Sequence, residues 1–157
     1  MDKKKPSIYA IIAAIVVIMA IISGILLINR GPIKITLDPE YNGSSEIIEL
    51  ESPESYEDLV NAKKSFIIFA DQTGCTTAGR LRGYIKDYAE EKNIKYYHFM
   101  WEQLRQSTLH VQVKYYPSVI VISKGKVIDF LKADSDDYAS YYNNYGDFKT
   151  WLDNLIK

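Results

Sequence analysis

Cys75 is the only cysteine in the chain, and it lies in Thr73-Gly74-Cys75-Thr76-Thr77-Ala78-Gly79-Arg80. The apolar run Phe66-Ile67-Ile68-Phe69 precedes it, and a helical pattern follows. A sulfur at the head of a helix faces unpaired backbone N–H groups and the positive end of the helix dipole. Both favour the thiolate, which is the form that attacks disulfides. Arg80 and Arg82 follow within two turns, either adding positive potential or serving as solvated surface. Thr76 and Thr77 either offer hydroxyls to the sulfur or are ordinary first-turn residues. One thiolate can open a disulfide and hold one half as a mixed disulfide, which another thiol then releases. It can also shuffle a misplaced disulfide if the substrate's own cysteine resolves the adduct. It cannot close a disulfide within this chain. The competing reading is an inert cysteine acting as a small buried hydrophobe.

The other reactive residue types are less organised. His98 falls in an apolar stretch and His110 in a connection, and both read as structural. No His/Cys cluster has metal-site spacing, so neither a metal nor a cofactor is expected. Asp134-Ser135-Asp136-Asp137 lacks the glycine and distal glutamate of a calcium loop and reads as a solvated loop. Net charge is −1, and no basic patch points to nucleic acid. Tyr138, Tyr141, Tyr142 and Tyr145 form a cluster that either packs over the sheet end or meets a partner. Packing is the favoured reading.

The elements that must position Cys75 follow a membrane signal. Lys3-Lys4-Lys5 precede a nearly continuous apolar segment at 8–28, and Arg30 alone lies close behind it. At about 1.5 Å per residue the segment matches a bilayer core of roughly 30 Å. The lysine asymmetry places residues 1–7 in the cytoplasm and the remainder outside, as a single-pass anchor in the cell membrane. No Ala-x-Ala follows the segment, which favours a retained anchor over a cleaved signal peptide. Residues 29–46 are polar and rich in breakers, and they read as a linker. Within it, alternation in Ile33-Lys34-Ile35-Thr36-Leu37 fits a short edge strand equally well.

Residues 47–157 read as one small domain. Strands are expected at 47–50, 65–70, 95–100, 119–122 and 127–131, the last two joined as a hairpin by Ser123-Lys124-Gly125-Lys126. Helices are expected at 55–62 with Ser55 as cap, at 76–91, at 101–108, and after a cap at Asp147. In 76–91, Leu81, Tyr84, Ile85 and Tyr88 share one face, with the tyrosines in the core. Alternating strands and helices, then a hairpin and a closing helix, make an α/β domain with a mixed sheet covered on both faces.

That order, with a cysteine heading the second helix, resembles the thioredoxin superfamily from about Ile47 to Lys157. Val113-Lys114-Tyr115-Tyr116-Pro117-Ser118-Val119 is similar to the family segment in which a cis-proline opens the hairpin strand. The resemblance implies a thioredoxin-like mixed sheet flanked by helices. It also implies a groove in which Tyr116, Pro117 and Thr76 hold a substrate strand near Cys75. The family's usual motif is Cys-x-x-Cys, and the resolving position here is Ala78. The buried aspartate that many relatives carry in the preceding strand is missing from Phe66-Ile67-Ile68-Phe69-Ala70, and Asp71 comes later, near the loop. The implied activity is thiol-disulfide oxidoreductase or isomerase chemistry with a single thiol. Its partners would be exported cysteine-containing proteins, with a membrane redox or secretion component as a further partner. The alternative is a redox-inactive binding or assembly module on the same fold.

Overall fold

The computed structural model describes residues 34–157 together with Met19. Apart from Met19, the apolar segment at 8–28 lies outside the described residues, as do 29–33. Among the described residues no helix is long and apolar enough to cross a membrane.

Five strands form one mixed sheet: β1 (Ile47–Glu49), β2 (Phe66–Asp71), β3 (Tyr96–Met100), β4 (Ser118–Ser123) and β5 (Lys126–Phe130). Their spatial order is β1-β3-β2-β4-β5. β1, β3 and β2 run parallel, while β4 and β5 are antiparallel to their neighbours. β2 lies at the centre, and all six of its residues are buried. A strand covered on both faces favours apolar residues at successive positions, which is why Phe66 to Ala70 shows no alternation; Asp71 at its end is the polar exception. The mixed sheet expected from the sequence is therefore present.

Helices α1 (Pro53–Asn61), α2 (Thr76–Lys92), α3 (Trp101–Leu104), α4 (Ala139–Asn143) and α5 (Tyr145–Leu155) accompany the sheet. α2 buries Ala78, Leu81, Ile85, Tyr88 and Ala89, a stripe at helical spacing, and ends on Asn93 in the left-handed conformation (φ 54°). Tyr88 is core as expected, whereas Tyr84 is only partly buried. Phe148 of α5 packs on Tyr84 and Tyr88 of α2. Tyr56 of α1 stacks on Phe99 of β3.

Several boundaries differ from the expected ones. The cap of α1 is Ser52, whose Oγ accepts from the Ser55 backbone N–H at 3.3 Å, with Pro53 in the first turn. Proline lacks an N–H and suits that position, so the helix begins before Ser55. The cap of α5 is Asn144, accepting from the Asp147 N–H at 3.1 Å. The expected helix at 101–108 stops at Leu104, and a separate 3₁₀ turn covers Thr108–Val111.

The compact unit begins at Lys34, ahead of the boundary expected at 47. Residues 34–46 are docked onto the domain, not extended as a linker. Ile35 N–H donates to Leu155 O at 2.7 Å, and Lys157 N–H donates to Ile35 O at 2.9 Å. Tyr41 is 2% exposed, and its hydroxyl meets that of Tyr97 at 3.1 Å. The segment forms two isolated bridges, Ile35 to Ile156 and Asn42 to Ile94, and no strand of the sheet. Ile35, Leu37 and Tyr41 supply the apolar area that holds it down.

Candidate functional site

Cys75 is the N-cap of α2, with extended backbone (φ −95°, ψ 123°). Its carbonyl accepts the first helical hydrogen bond, from Gly79 N–H at 3.1 Å. Its sulfur makes no capping hydrogen bond and is partly exposed. Gly74, at φ 75°, supplies the left-handed turn that brings the chain off β2 into the helix. The thiol thus sits at the N-terminus of a 17-residue helix, where the first-turn backbone N–H groups have no partner within the helix.

Across from it, the Tyr116–Pro117 peptide bond is cis. Pro117 is buried, and Ser118 after it opens β4. Cys75, Tyr116 and Pro117 line one open cleft of about 410 Å³, together with Thr77, Tyr142 and Asn143, and bordered by Asp134 and Asp136. Residues from three distant parts of the chain therefore meet at one place. Thr76 does not line it. Helix geometry turns successive residues by about 100°, so Thr77 faces the cleft while Thr76 is exposed to solvent elsewhere. Of the two, Thr77 lines the cleft and the expected Thr76 does not. Ala78 is 1% exposed and faces the core.

Two hydroxyls fix the cleft wall. Tyr116 donates to Val113 O at 2.8 Å and pairs with His110 Nδ1 at 2.9 Å. Burial pushes the Tyr116 hydroxyl up to about 12, against the opposing pull of Arg105. Tyr142 lies within hydrogen-bond distance of Pro117 O (2.9 Å) and Leu131 O (3.1 Å), tying α4 to the proline and to the end of β5. Its neighbours pack as expected: Tyr141 lies against Trp151, and Tyr145 against Phe148.

The arginines of α2 are both engaged. Arg80 donates to Tyr142 O at 3.3 Å and to Asn143 Oδ1, which anchors the cleft-lining end of α4. Arg82 is paired with Asp71. Asp71, expected near the loop, is the last residue of β2, and its side chain is 2% exposed. Its Oδ2 accepts from Arg82 Nε at 3.0 Å and lies 2.9 Å from His98 Nε2, while its Oδ1 accepts from Gln72 N–H at 2.7 Å. His98 Nδ1 reaches Glu49 Oε2 at 2.7 Å. Burial raises the Asp71 carboxyl, but hydrogen bonds from Arg82 and His98 outweigh it and leave it below its ordinary value. A linked set of polar side chains thus runs across the sheet from β1 through β3 to β2 and α2. The sequence carried no local sign of it, because its members are 11, 27 and 49 residues apart. Among the described residues no group of histidines, cysteines and carboxylates could hold a metal ion.

No protein-family model matches the sequence, and no curated protein matches it by sequence. Solved structures do match in fold. The thioredoxin NaTrxh of Nicotiana alata is similar over 73% of this chain and 96% of its own, with a TM-score of 0.55 and 11% identity. Oxidised thioredoxin O2 of Arabidopsis thaliana matches over 72% and 96%, with a TM-score of 0.52 and 9% identity. Reduced thioredoxin of Schistosoma mansoni matches over 71% and 99%, with a TM-score of 0.51 and 16% identity. At such identities the likeness establishes the fold. The resemblance read from Cys75, Tyr116 and Pro117 therefore holds at the level of a thioredoxin fold.

Proposed function

On a chain with the thioredoxin fold, we propose that Cys75 acts as a single-thiol exchange centre that engages cysteine-containing proteins through a mixed disulfide. The observation that carries this is the meeting of Cys75, at the head of α2, with the cis Tyr116–Pro117 segment in one open cleft. The head of α2 holds the partly exposed sulfur at the cleft, and the cleft gives a disulfide-bearing segment access to it. The thiolate attacks one sulfur of the substrate disulfide, and the other leaves as a thiolate. A second thiol, from the substrate or from another protein, then attacks the mixed disulfide and restores Cys75. Ala78 cannot perform that step, so the adduct persists until an outside thiol arrives.

We further propose that the chain is held in the cell membrane by residues 8–28, with residues 1–7 in the cytoplasm and the thioredoxin-like domain outside. The lysine asymmetry around the apolar segment supports this reading. Its partners are then exported proteins with cysteines, and a membrane redox or secretion component is a candidate source of the resolving thiol. Incubation of the full chain with a neutral disulfide such as hydroxyethyl disulfide tests the exchange step. The expected product is a Cys75 adduct seen by mass spectrometry and reversed by added thiol. A native protein that takes up no adduct, but does so once unfolded, would instead make the domain a redox-inactive binding module.

A further inference from the structure

Two open clefts meet along Tyr116 and Ala133, and they carry opposite charge. The first holds Cys75 and is bordered by the carboxylates of Asp134 and Asp136, with no lysine or arginine on its wall. Of the nearby cations, Arg80 holds Tyr142 and Asn143, and Lys132 stands over the rings of Phe130 and Tyr138 while sharing an adjoining cleft with Lys114 and Asp134. The second cleft, of about 520 Å³, is lined by Arg105, Lys114 and His110 among the aromatic rings of Trp101 and Tyr115. No carboxylate lies within salt-bridge distance of Arg105 or Lys114 among the described residues. The Arg105 guanidinium lies 5.0 Å over the Trp101 ring, and Tyr115 is 55% exposed. Tyr116, fixed by Val113 and His110, is the partition between the two.

We propose that the paired clefts select a bipolar disulfide-bearing segment. A cationic side chain flanks its cystine toward Asp134 and Asp136, and a carboxylate flanks it toward Arg105 and Lys114. The proposal rests on the exchange reading of Cys75 and adds the charge pattern of the substrate. Opposite potentials a few residues apart orient an incoming chain and penalise the reversed arrangement, more than they add raw affinity. The exchange itself balances simply. The Cys75 thiolate bonds to the peptide sulfur, the peptide's old S–S bond breaks, and its partner sulfur leaves as a thiolate.

The test uses the full chain in detergent and three synthetic peptides whose one cysteine is carried as a 2-pyridyl disulfide. Two are isomers with lysines on one flank and glutamates on the other, in opposite order, and the third has serine flanks. Attack at the peptide sulfur releases pyridine-2-thione, which is followed by absorbance. At low salt the two isomers should differ by about three- to tenfold in rate, although their net charge is the same. The ratio should fall toward one in high salt. It should also fall toward one in Asp134→Asn/Asp136→Asn and in Arg105→Gln/Lys114→Gln. Equal isomer rates beside a reactive serine peptide would overturn the bipolar selection and leave the exchange reading standing. A ratio that survives both double substitutions would overturn the assignment to these residues. No release from the serine peptide would overturn the exchange reading, and this proposal with it.

Discussion

Cys75 and Ala78 are separated by one helical turn, but they face different surroundings. The first is partly exposed in the cleft and the second is buried against the core. A sulfur at position 78 would therefore be sheltered and within reach of Cys75 only, as a resolving thiol must be. Ala78→Cys should form an intrachain disulfide and gain insulin-reducing activity, read by turbidity; continued inertness would mean that more than this residue separates the chain from a dithiol reductant. Asp71 sets a second expectation. Its carboxyl lies below its ordinary value in the folded chain. Its stabilising contribution is thus complete above the unfolded value of about 4 and is lost as pH falls through the folded value. Arg82→Gln removes a hydrogen-bonding partner and leaves a buried carboxylate held by His98 and Gln72 alone. Arg82 is half exposed, so the expected cost at neutral pH is about 1–3 kcal/mol, with acid unfolding displaced to higher pH. Equilibrium urea unfolding across pH 3–7 measures both, and an unchanged acid midpoint would remove Asp71 from the account.

At the scale of elements, the β4–β5 hairpin shows how local sequence and tertiary packing agree. Lys124 and Gly125 both have positive φ, at 50° and 72°, as a two-residue turn of this hand requires. Gly125 is also pressed against α1: a Cβ there would lie 2.3 Å from the carbonyl oxygen of Val60, which is backbone and cannot swing aside. Gly125→Ala should therefore cost at least about 2 kcal/mol in chemical denaturation, more than the left-handed penalty alone. Ser52→Ala should cost about 0.5–2 kcal/mol through the lost cap of α1. The hairpin, the buried run of β2 and the stripe of α2 were legible because each is written in neighbouring residues. The groove wall was half legible. Cys75, Tyr116 and Pro117 stood out by type and position, whereas Tyr142 and Asn143 reach the cleft only because α4 folds back over Pro117. The docking of 34–46 was hidden for a similar reason, since its breakers describe the path of the backbone but not the surface that receives Tyr41. The polar contacts linking Glu49, His98, Asp71 and Arg82 exist only once the parallel strands are in register.

At the scale of the whole molecule, the apolar segment at 8–28 precedes the compact unit that starts at Lys34, which the proposed topology places outside the membrane. Protease added to intact cells should digest the domain and spare residues 1–7; digestion only after lysis would reverse the topology. The central claim concerns the thiol, and its most direct measurement is the rate of Cys75 alkylation by iodoacetamide at pH 7, on the native full chain and on the same chain unfolded in denaturant. A sulfur open to the cleft should be alkylated in the native protein at a rate at least equal to that of the unfolded chain. Labelling that proceeds only after unfolding would show a structural cysteine and contradict the exchange reading.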